Sequence, residues 1–545
     1  MSTTQSRRRW LGMPFIALGV AMIIVDATIV NVAIPSIIRD LRISAPTAEW
    51  FNSIYSLVFA ALLITFGRAG DLFGRRRLFM IGTTVFVVAS LITATAQSGS
   101  ILILGRFVQG VGGAMILPST LSTLNALFQG RDRAIAFAIW GSTIGGVAAI
   151  GPLVGGWLTT DYSWRWAFLI NVPIGVAILI GASMLVPETR DAEARRGVDI
   201  AGITSSMVAL GALVFGLIEG QTYGWWSPVS GETFAVGGWT WPSQSIAPSP
   251  VAFAVGAVAL AVLLLVERSR SGAGKVAVID MSLFSLRSFR YGNIAALIVS
   301  LGEFGLLFAI PLYLQGVLGY SALGTGTLLL ALASGAFLVG GATPQVARLL
   351  GGRGIVRLGL ALEVIGIAGL GFTVGVDTAA WSMVPWLFLY GCGVGFATAQ
   401  LTSVVLVDVP IRLSGQGSGI QSTFRQVGSA LGVAVLGTIL ITGIGDNLDA
   451  RLTTAHIPPG ARTAIVALVK STGGTSIPGL RAQPGGEAVA NAASAAVVDA
   501  VHTVALSAAL FVLVGFLATL ALPPIREGGN KENDETHVGV GAAGH

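Results

Sequence analysis

Long apolar stretches recur along the whole chain of 545 residues and separate nearly all of its charged residues. Each stretch is about as long as the roughly 17 to 25 residues with which a helix crosses the hydrocarbon core of a bilayer. In lipid only a helix satisfies its own backbone groups, so each stretch is predicted to be helical. We predict fourteen spans, at 12–38, 49–67, 78–97, 101–127, 135–158, 165–186, 200–219, 250–267, 290–316, 323–346, 356–375, 382–406, 418–443 and 500–522.

The composition excludes a soluble fold. Charged residues make up 11% of the chain and hydrophobic residues 53%, whereas about 25% of an ordinary soluble protein is charged. The single cysteine, Cys392, excludes an intramolecular disulfide and a CxxC metal or redox site. No HExxH motif or histidine cluster supports a metal enzyme, so we expect a membrane protein that is not an enzyme.

The placement of basic residues indicates the orientation of the chain. With the N-terminus in the cytoplasm, 23 of the 32 basic residues fall in inner segments and seven in outer ones. Four of those seven lie in a long predicted loop at 444–499, and long loops are weakly governed by the positive-inside rule. We therefore expect a multi-pass protein of a bacterial plasma membrane with both termini in the cytoplasm. Arg7 to Arg9 are then inner anchors rather than a twin-arginine export signal.

An internal repeat divides the chain into halves. Asp26 in the first span and Glu303 in the ninth are 277 residues apart, and each precedes an Ala-Ile-Pro triplet. The same offset carries the loop around Gly74 onto the loop around Gly351. Such repeats are typical of transporters built from two similar bundles.

The predicted fold is an all-α integral membrane protein with two six-helix bundles and two inserted transmembrane helices. We place the boundaries between these parts in charged loops. The expected parts are an N-terminal bundle at 1–187, the insert with its linkers at 188–288, a C-terminal bundle at 289–525 that contains the outer loop 444–499, and a cytoplasmic tail at 526–545.

Charges inside the hydrocarbon are costly and usually functional, and four ionisable residues within predicted spans stand out: Asp26, Arg106, Glu303 and Glu363. A rise of 1.5 Å per residue puts Asp26 about 21 Å and Arg106 about 20 Å from the inner face, so the two can meet. We expect this pair to couple transport to protons, because burial and the arginine have opposing effects on the carboxylate. The alternative is a static ion pair that holds the N-terminal half together.

A substrate cavity is expected between the halves. We predict that Asn31, Glu303 and Glu363 line it, with Glu303 facing Asp26 from the opposite wall. Acidic side chains there would suit a cationic substrate. The alternative for Glu303 is a protonated carboxyl group hydrogen-bonded to a neighbouring helix.

The loop after the second span combines glycines with charges in Gly67, Asp71, Gly74, Arg75 and Arg76. Glycines permit a tight turn between two helices. Asp71 can accept hydrogen bonds from a helix N-terminus or pair with an arginine. We expect such a contact to last only while the cytoplasmic ends of the halves are together. The arginines by themselves are also explained by membrane topology.

This loop resembles the signature GxLaDrxGrkxxl of the major facilitator superfamily, from which Ala69 and Leu72 depart. The resemblance implies a cytoplasmic latch that closes in the outward-open state. The fourth span, with Arg106, Gln109 and Gly110, is similar to a second signature whose arginine is linked to proton transfer.

The fifth span ends in Gly151, Pro152, Gly155 and Gly156, which resembles the GPxxGG signature of the antiporter branch, with Val147 where a small residue is usual. Pro152 removes a backbone donor and the glycines form a GxxxG face, so we expect this helix to bend and to pack closely on the other half. Together with fourteen spans, the sequence is similar to the fourteen-span drug:proton antiporters.

The leading hypothesis is a proton-coupled exporter of lipophilic, cationic drugs that works by alternating access. The chain contains no GxxxxGK[ST] motif, so we expect a proton gradient rather than ATP as the driver, and no cofactor. Expected partners are small lipophilic substrates and membrane lipids, without nucleic acid, and a monomer is expected to function. Two alternatives stay open: export or flipping of lipid-like amphiphiles, and a membrane sensor or scaffold that does not transport.

Overall fold

A computed structural model describes residues 3–43, 45–190, 199–229, 233–236, 239–242, 246–272 and 277–520. Nearly all of them are helical, apart from a short antiparallel hairpin of β1 and β2. The elements are α1 Thr3–Leu41, α2 Ala45–Phe73, α3 Arg75–Ala94, α4 Gly99–Leu127, α5 Gly130–Asp161, α6 Trp166–Leu169, α7 Asn171–Leu185, α8 Ile200–Tyr223, β1 Ala235–Val236, β2 Trp239–Thr240, α9 Pro248–Gly272, α10 Arg287–Gly316, α11 Ala322–Thr373, α12 Val384–Val405, α13 Ser414–Thr454, α14 Pro459–Ser471, α15 Ile477–Arg481 and α16 Glu487–Leu520.

Within the described residues, thirteen helical segments are long and apolar enough to cross a membrane. They cover every predicted span except the fifth, and that span lies within the 32-residue helix α5. The tenth and eleventh spans are the two arms of α11, which bends at Gly351. The fold is therefore an all-α membrane fold of about fourteen spans, as predicted.

The repeat is visible in the backbone of two turns. Gly74 has φ 107° and Gly351 has φ 66°, and both lie in the left-handed region that favours glycine. A Cβ at Gly74 would also lie 2.7 Å from the carboxyl carbon of Glu188. The two positions that the 277-residue offset relates thus share one conformational requirement.

Each half is a bundle of helices around its own centre. In the first half α4 packs on α2 and α3, and α1 packs on α5 and α7; in the second, α10 packs on α13 and α16, and α11 packs on α12. The halves meet where α5 contacts α11 and α12, and where α2 and α4 contact α13. These helices form the contact surface between the halves.

The inserted pair, α8 and α9, lies beside the junction of α2 and α13. Trp50 Nε1 of α2 donates to the Tyr223 hydroxyl at 2.9 Å, and Gln221 Nε2 of α8 donates to the carbonyl of Val433 in α13 at 3.2 Å. The insert therefore contacts both halves.

The segment 444–499 is more helical than the predicted loop. Helix α13 continues to Thr454 and α16 begins at Glu487, with α14 and α15 between them. Leu448 and Leu452 are buried, and Arg451 NH2 lies 2.6 Å from Asp499 Oδ2. Because polar residues interrupt the hydropathy signal there, the sequence underestimates both helices. The predicted tail at 526–545 lies outside the described residues.

Candidate functional site

Asp26 and Arg106 form an ion pair inside the N-terminal half, and neither side chain has any exposed surface. Arg106 NH1 lies 2.5 Å from Asp26 Oδ2. Gln109 Nε2 and Asn171 Nδ2 donate to the other carboxylate oxygen at 3.0 and 2.8 Å. The Asp26 carboxylate is thus held by one charged and two neutral donors.

Residues of two further helices contact this pair and its hydrogen-bond partners. Ser90 Oγ of α3 accepts from Gln109 at 2.9 Å and from Asn171 at 3.1 Å. The Arg106 guanidinium lies 4.2 Å from the centre of the Tyr55 ring, and its Nε donates to the Phe51 carbonyl at 3.4 Å. Helices α1, α2, α3, α4 and α7 therefore meet at one polar centre.

In this geometry the packing of the helices depends on the charge of Asp26. Protonation of Asp26 removes the negative charge that compensates Arg106, and a buried charge left without its partner costs about 3–5 kcal/mol. The five helices must then rearrange or admit a new partner for Arg106. The sequence predicted that Asp26 and Arg106 lie at one depth and associated Gln109 with a signature without a role of its own; Asn171 was not among the predicted site residues.

A second polar centre lies in the C-terminal half around Glu303. Arg425 NH2 of α13 lies 4.0 Å from Glu303 Oε2, and Thr398 Oγ1 of α12 donates to Oε1 at 3.4 Å. The Tyr390 hydroxyl donates to the backbone carbonyl of Glu303 at 3.4 Å. Arg425 was not among the predicted site residues.

Glu363 lies inside the C-terminal bundle, with no exposed surface, rather than on the wall of an open cavity as expected. Neither of its carboxylate oxygens has a hydrogen-bond partner among the described residues. A Cβ at Gly393 would lie 2.5 Å from Cγ of Glu363, so the α12 backbone packs directly on this side chain. Asn31 belongs to α1, but its side chain lies outside the described residues.

The loop after α2 connects the two halves through Asp71. Its carboxylate accepts from the backbone N–H groups of Gly415 at 2.7 Å and Gln416 at 2.9 Å, in the first turn of α13. Arg75 NH2 donates to Asp71 Oδ1 at 2.7 Å and to the Ile411 carbonyl at 2.7 Å. A carboxylate at a helix N-terminus is stabilised by the exposed N–H groups and the helix dipole.

The other residues of this loop divide into two groups. A Cβ at Gly67 would lie 2.4 Å from the carbonyl oxygen of Gly415, so α2 and α13 approach too closely for a side chain there. Arg76, by contrast, does not reach the second half: its N–H donates to Glu188, at the start of the linker to the insert, at 3.0 Å, and its NH1 donates to the Val186 carbonyl at 3.1 Å. Gly67, Asp71 and Arg75 therefore reach the second half, whereas Gly74 and Arg76 shape the first.

Further contacts close the same face of the molecule. Asn125 Nδ2 donates to Ser414 Oγ at 2.8 Å. Arg133 NH2 donates to the Ser403 carbonyl at 2.7 Å, and Gln400 Nε2 to the Ala134 carbonyl at 3.1 Å. The halves are thus in close polar contact on the side of the α2–α3 turn.

The glycines at the end of α5 face α1 in the same half. A Cβ at Gly151 would lie 1.8 Å from Thr28 Oγ1, and one at Gly155 would lie 3.1 Å from the Ile29 backbone, whereas Gly156 has open space. Helix α5 packs on the other half as expected, through α11 and α12, but Gly151 and Gly155 do not form that contact. Gly141 and Gly146 of α5 do pack on the other half: a Cβ at Gly141 would lie 2.5 Å from that of Ala399, and one at Gly146 would lie 3.1 Å from the Phe337 ring. The side chain of Pro152 lies outside the described residues.

These features define a helical membrane transporter built from two similar halves. The profile of the Major Facilitator Superfamily matches residues 16–201 and 193–433. The chain belongs to this superfamily, and its relatives place it among the drug efflux transporters. It is a transporter, not an enzyme, and no group of three His, Cys, Asp or Glu in the described ranges is arranged to hold a metal ion.

Two relatives indicate the kind of cargo that similar chains carry. The chain is 32% identical to the probable actinorhodin transporter of Streptomyces coelicolor, over 85% of this chain and 78% of that protein. It is 33% identical to the multidrug efflux pump LfrA of Mycolicibacterium smegmatis, over 82% and 84%. Human MFSD10, an organic anion transporter, shares the fold with a TM-score of 0.58 at 11% identity, over 95% of this chain and 100% of that one.

Proposed function

We propose that this drug efflux transporter exchanges protons for lipophilic cations by alternating access. The observation that carries the proposal is the Asp26 carboxylate, fully buried and bound by Arg106, Gln109 and Asn171. A group whose protonation disrupts contacts among five helices is suited to couple proton binding to a conformational change. A relative named as a multidrug efflux pump supports export as its direction.

The closed face is proposed to be the cytoplasmic one, so the conformation described is outward-facing. The basic-residue census supports this orientation, since Arg75, Arg76 and Arg77 lie in that loop. Opening to the cytoplasm then requires Asp71 to leave the N-terminus of α13. Both termini are cytoplasmic in this arrangement.

We assign cation recognition to Glu303, the repeat mate of Asp26. Its pairing with Arg425 is loose, at 4.0 Å, and the Arg425 side chain is 17% exposed, so an approaching cation can interact with this centre. One chain contains both polar centres and both sides of the closed face, which supports a functional monomer. Membrane lipids surround the bundle.

Purified protein in liposomes with an imposed pH gradient tests the proposal. Tetraphenylphosphonium serves as the lipophilic cation and triphenylphosphine oxide as its neutral counterpart. We expect gradient-driven transport of the cation, and a larger loss for the cation than for the neutral compound in Glu303→Gln. Equal losses would remove Glu303 from recognition. Gradient-independent movement of a fluorescent lipid, without cation transport, would favour the amphiphile exporter instead.

A further inference from the structure

The C-terminal centre contains two carboxyl groups and one guanidinium. Glu303 accepts a hydrogen bond from the Thr398 hydroxyl and pairs with Arg425. Glu363 is completely buried, and both of its oxygens are without a hydrogen-bond partner in the described part of the chain. The two acids therefore have very different surroundings.

The charge balance of this centre requires a proton. An ionised carboxylate that is buried without a partner is far costlier than its neutral form, and a second carboxylate nearby adds to that cost. Arg425 compensates one negative charge, and the acid with which it forms an ion pair is Glu303. Glu363 is consequently the group that carries the proton in this conformation.

Among the described residues, no other group around Glu363 supplies a second compensating charge. The charges that act on it are Glu303 of α10 and Arg425 of α13, and Tyr390 of α12 faces both acids. On α16, which also packs on α11, His502 contacts the Phe372 ring, about 13 Å further along the α11 axis than Glu363. Asp499 of α16 pairs with Arg451.

The polar centre of the N-terminal half differs from this one in its balance of acidic and basic groups. There a single carboxylate, Asp26, meets a single guanidinium, Arg106, at 2.5 Å, with two amide donors completing its contacts. That centre is neutral without an added proton. The two halves are related by the repeat, but only the second contains an acid in excess.

We propose that Glu363 is a second proton site, which releases its proton when a cationic substrate binds beside Glu303. The inference rests on the proposed cation export. The O–H bond of the Glu363 carboxyl group breaks, the proton passes to water, and the charge of the substrate replaces that of the proton in the cluster. A neutral substrate brings no charge and leaves Glu363 protonated.

Proton release on substrate binding tests this without transport. Purified protein in a weakly buffered detergent solution with a pH-sensitive dye is titrated with tetraphenylphosphonium. The Asp26→Asn background removes the first site from the signal. We expect about one proton for each bound cation in that background, none after Glu363→Gln is added, and none with triphenylphosphine oxide. Equal release with and without Glu363→Gln, or cation binding without release, would overturn the proposal.

Infrared spectroscopy locates the proton independently of substrate. The carbonyl stretching band of a protonated carboxyl group should be present in the wild type and weaker in Glu363→Gln. Glu363→Met, which is similar in volume, provides the same comparison if glutamine disturbs the packing against Gly393. A band that persists in both variants but disappears in Glu303→Gln would place the proton on Glu303 and reject the assignment. Failure of gradient-driven transport with this band intact would count against the proposed function and leave the Glu363 site standing.

Discussion

Asp26 Oδ2 lies 2.5 Å from NH1 of Arg106, and both side chains are fully buried among five helices. A buried ion pair is a weak source of stability, because desolvation offsets much of the attraction. The proposed role of the pair in proton coupling is one that hydrophobic side chains could not fill.

Asp26→Asn should reduce gradient-driven export to background, because the amide cannot exchange a proton. The variant also leaves Arg106 without a counter-charge, so a loss of about 3 kcal/mol or more in stability is expected. The double variant Asp26→Asn with Arg106→Gln removes both charges and should recover stability but not export. Export at the wild-type rate in Asp26→Asn would contradict the assignment, as would unchanged pH dependence in Arg106→Ala.

Asp71→Asn should weaken the closed face, since a neutral amide accepts more weakly from the N-terminus of α13. The measurement is labelling of a cysteine at Ser418, one turn into α13, in a Cys392→Ala background. Faster labelling from the cytoplasmic side and slower export are expected. Arg76→Gln is the matched control, because the described contacts of Arg76 do not reach the second half. Equal labelling of the two variants would show that Asp71 does not hold the face closed.

Neighbouring glycines in α5 should respond differently to one added methyl group. Gly151→Ala places a Cβ against Thr28, whereas Gly156→Ala meets open space. We expect Gly151→Ala to destabilise the protein by about 1–3 kcal/mol, as overpacking does, and to lower export through the shifted α1. Thermal unfolding and transport of the two variants, measured side by side, decide the matter. A tolerated Gly151→Ala would mean that α1 and α5 separate readily.

The hydropathy of the chain predicts its spans because the cost of exposing polar groups to lipid exceeds local helix preference. Helix ends are harder to predict: α13 continues to Thr454 through residues whose charges find partners, such as Arg451 with Asp499. The partners of Asp26 are only partly predictable. Depth along a helix follows from residue count. Ser90 and Tyr55 face the centre because of how α3 and α2 are rotated about their axes, and the uncharged sequence of a span does not indicate this rotation. The same uncertainty explains the wrong neighbour expected for Gly151.

The proposed orientation of the chain in the membrane predicts from which side two engineered cysteines can be labelled. The experiment uses a Cys392→Ala background and a membrane-impermeant maleimide added to intact cells. The reagent should label Thr463→Cys, in α14 between α13 and α16, and should not label Arg190→Cys, after α7. Both positions are exposed, so burial does not favour either. Disruption of the cells should make Arg190→Cys reactive. Labelling of Arg190→Cys from outside would exclude the fourteen-span topology with cytoplasmic termini.

A pH-dependent contact lies at the opposite end of the N-terminal half from the closed face. Arg165 NH1 donates to Asp40 Oδ2 at 2.6 Å and Trp164 Nε1 donates to the same oxygen at 2.9 Å. These hydrogen bonds, that of Arg165 first, lower the pKa of Asp40 below its usual value. The Asp40 side chain is 49% exposed, so solvent screens the pair and its contribution to stability is small.

The pKa of Asp40 is lower in the folded state than in the unfolded state. The charge of Asp40 therefore contributes fully to the stability of the fold above the unfolded-state pKa of about 3.9, and this contribution is lost as the pH falls through the folded-state pKa. The melting temperature of Asp40→Asn should therefore lie below that of the wild type at neutral pH, and the difference should shrink only under acidic conditions, below about pH 4. Asp161→Asn is the control, since Asp161 is exposed at the end of α5 and forms no ion pair within the described residues. Thermal unfolding of all three proteins in detergent between neutral and acidic pH provides the comparison. A difference between Asp40→Asn and the wild type that persists unchanged into acid would show that the contact stabilises through packing rather than through the charge of Asp40.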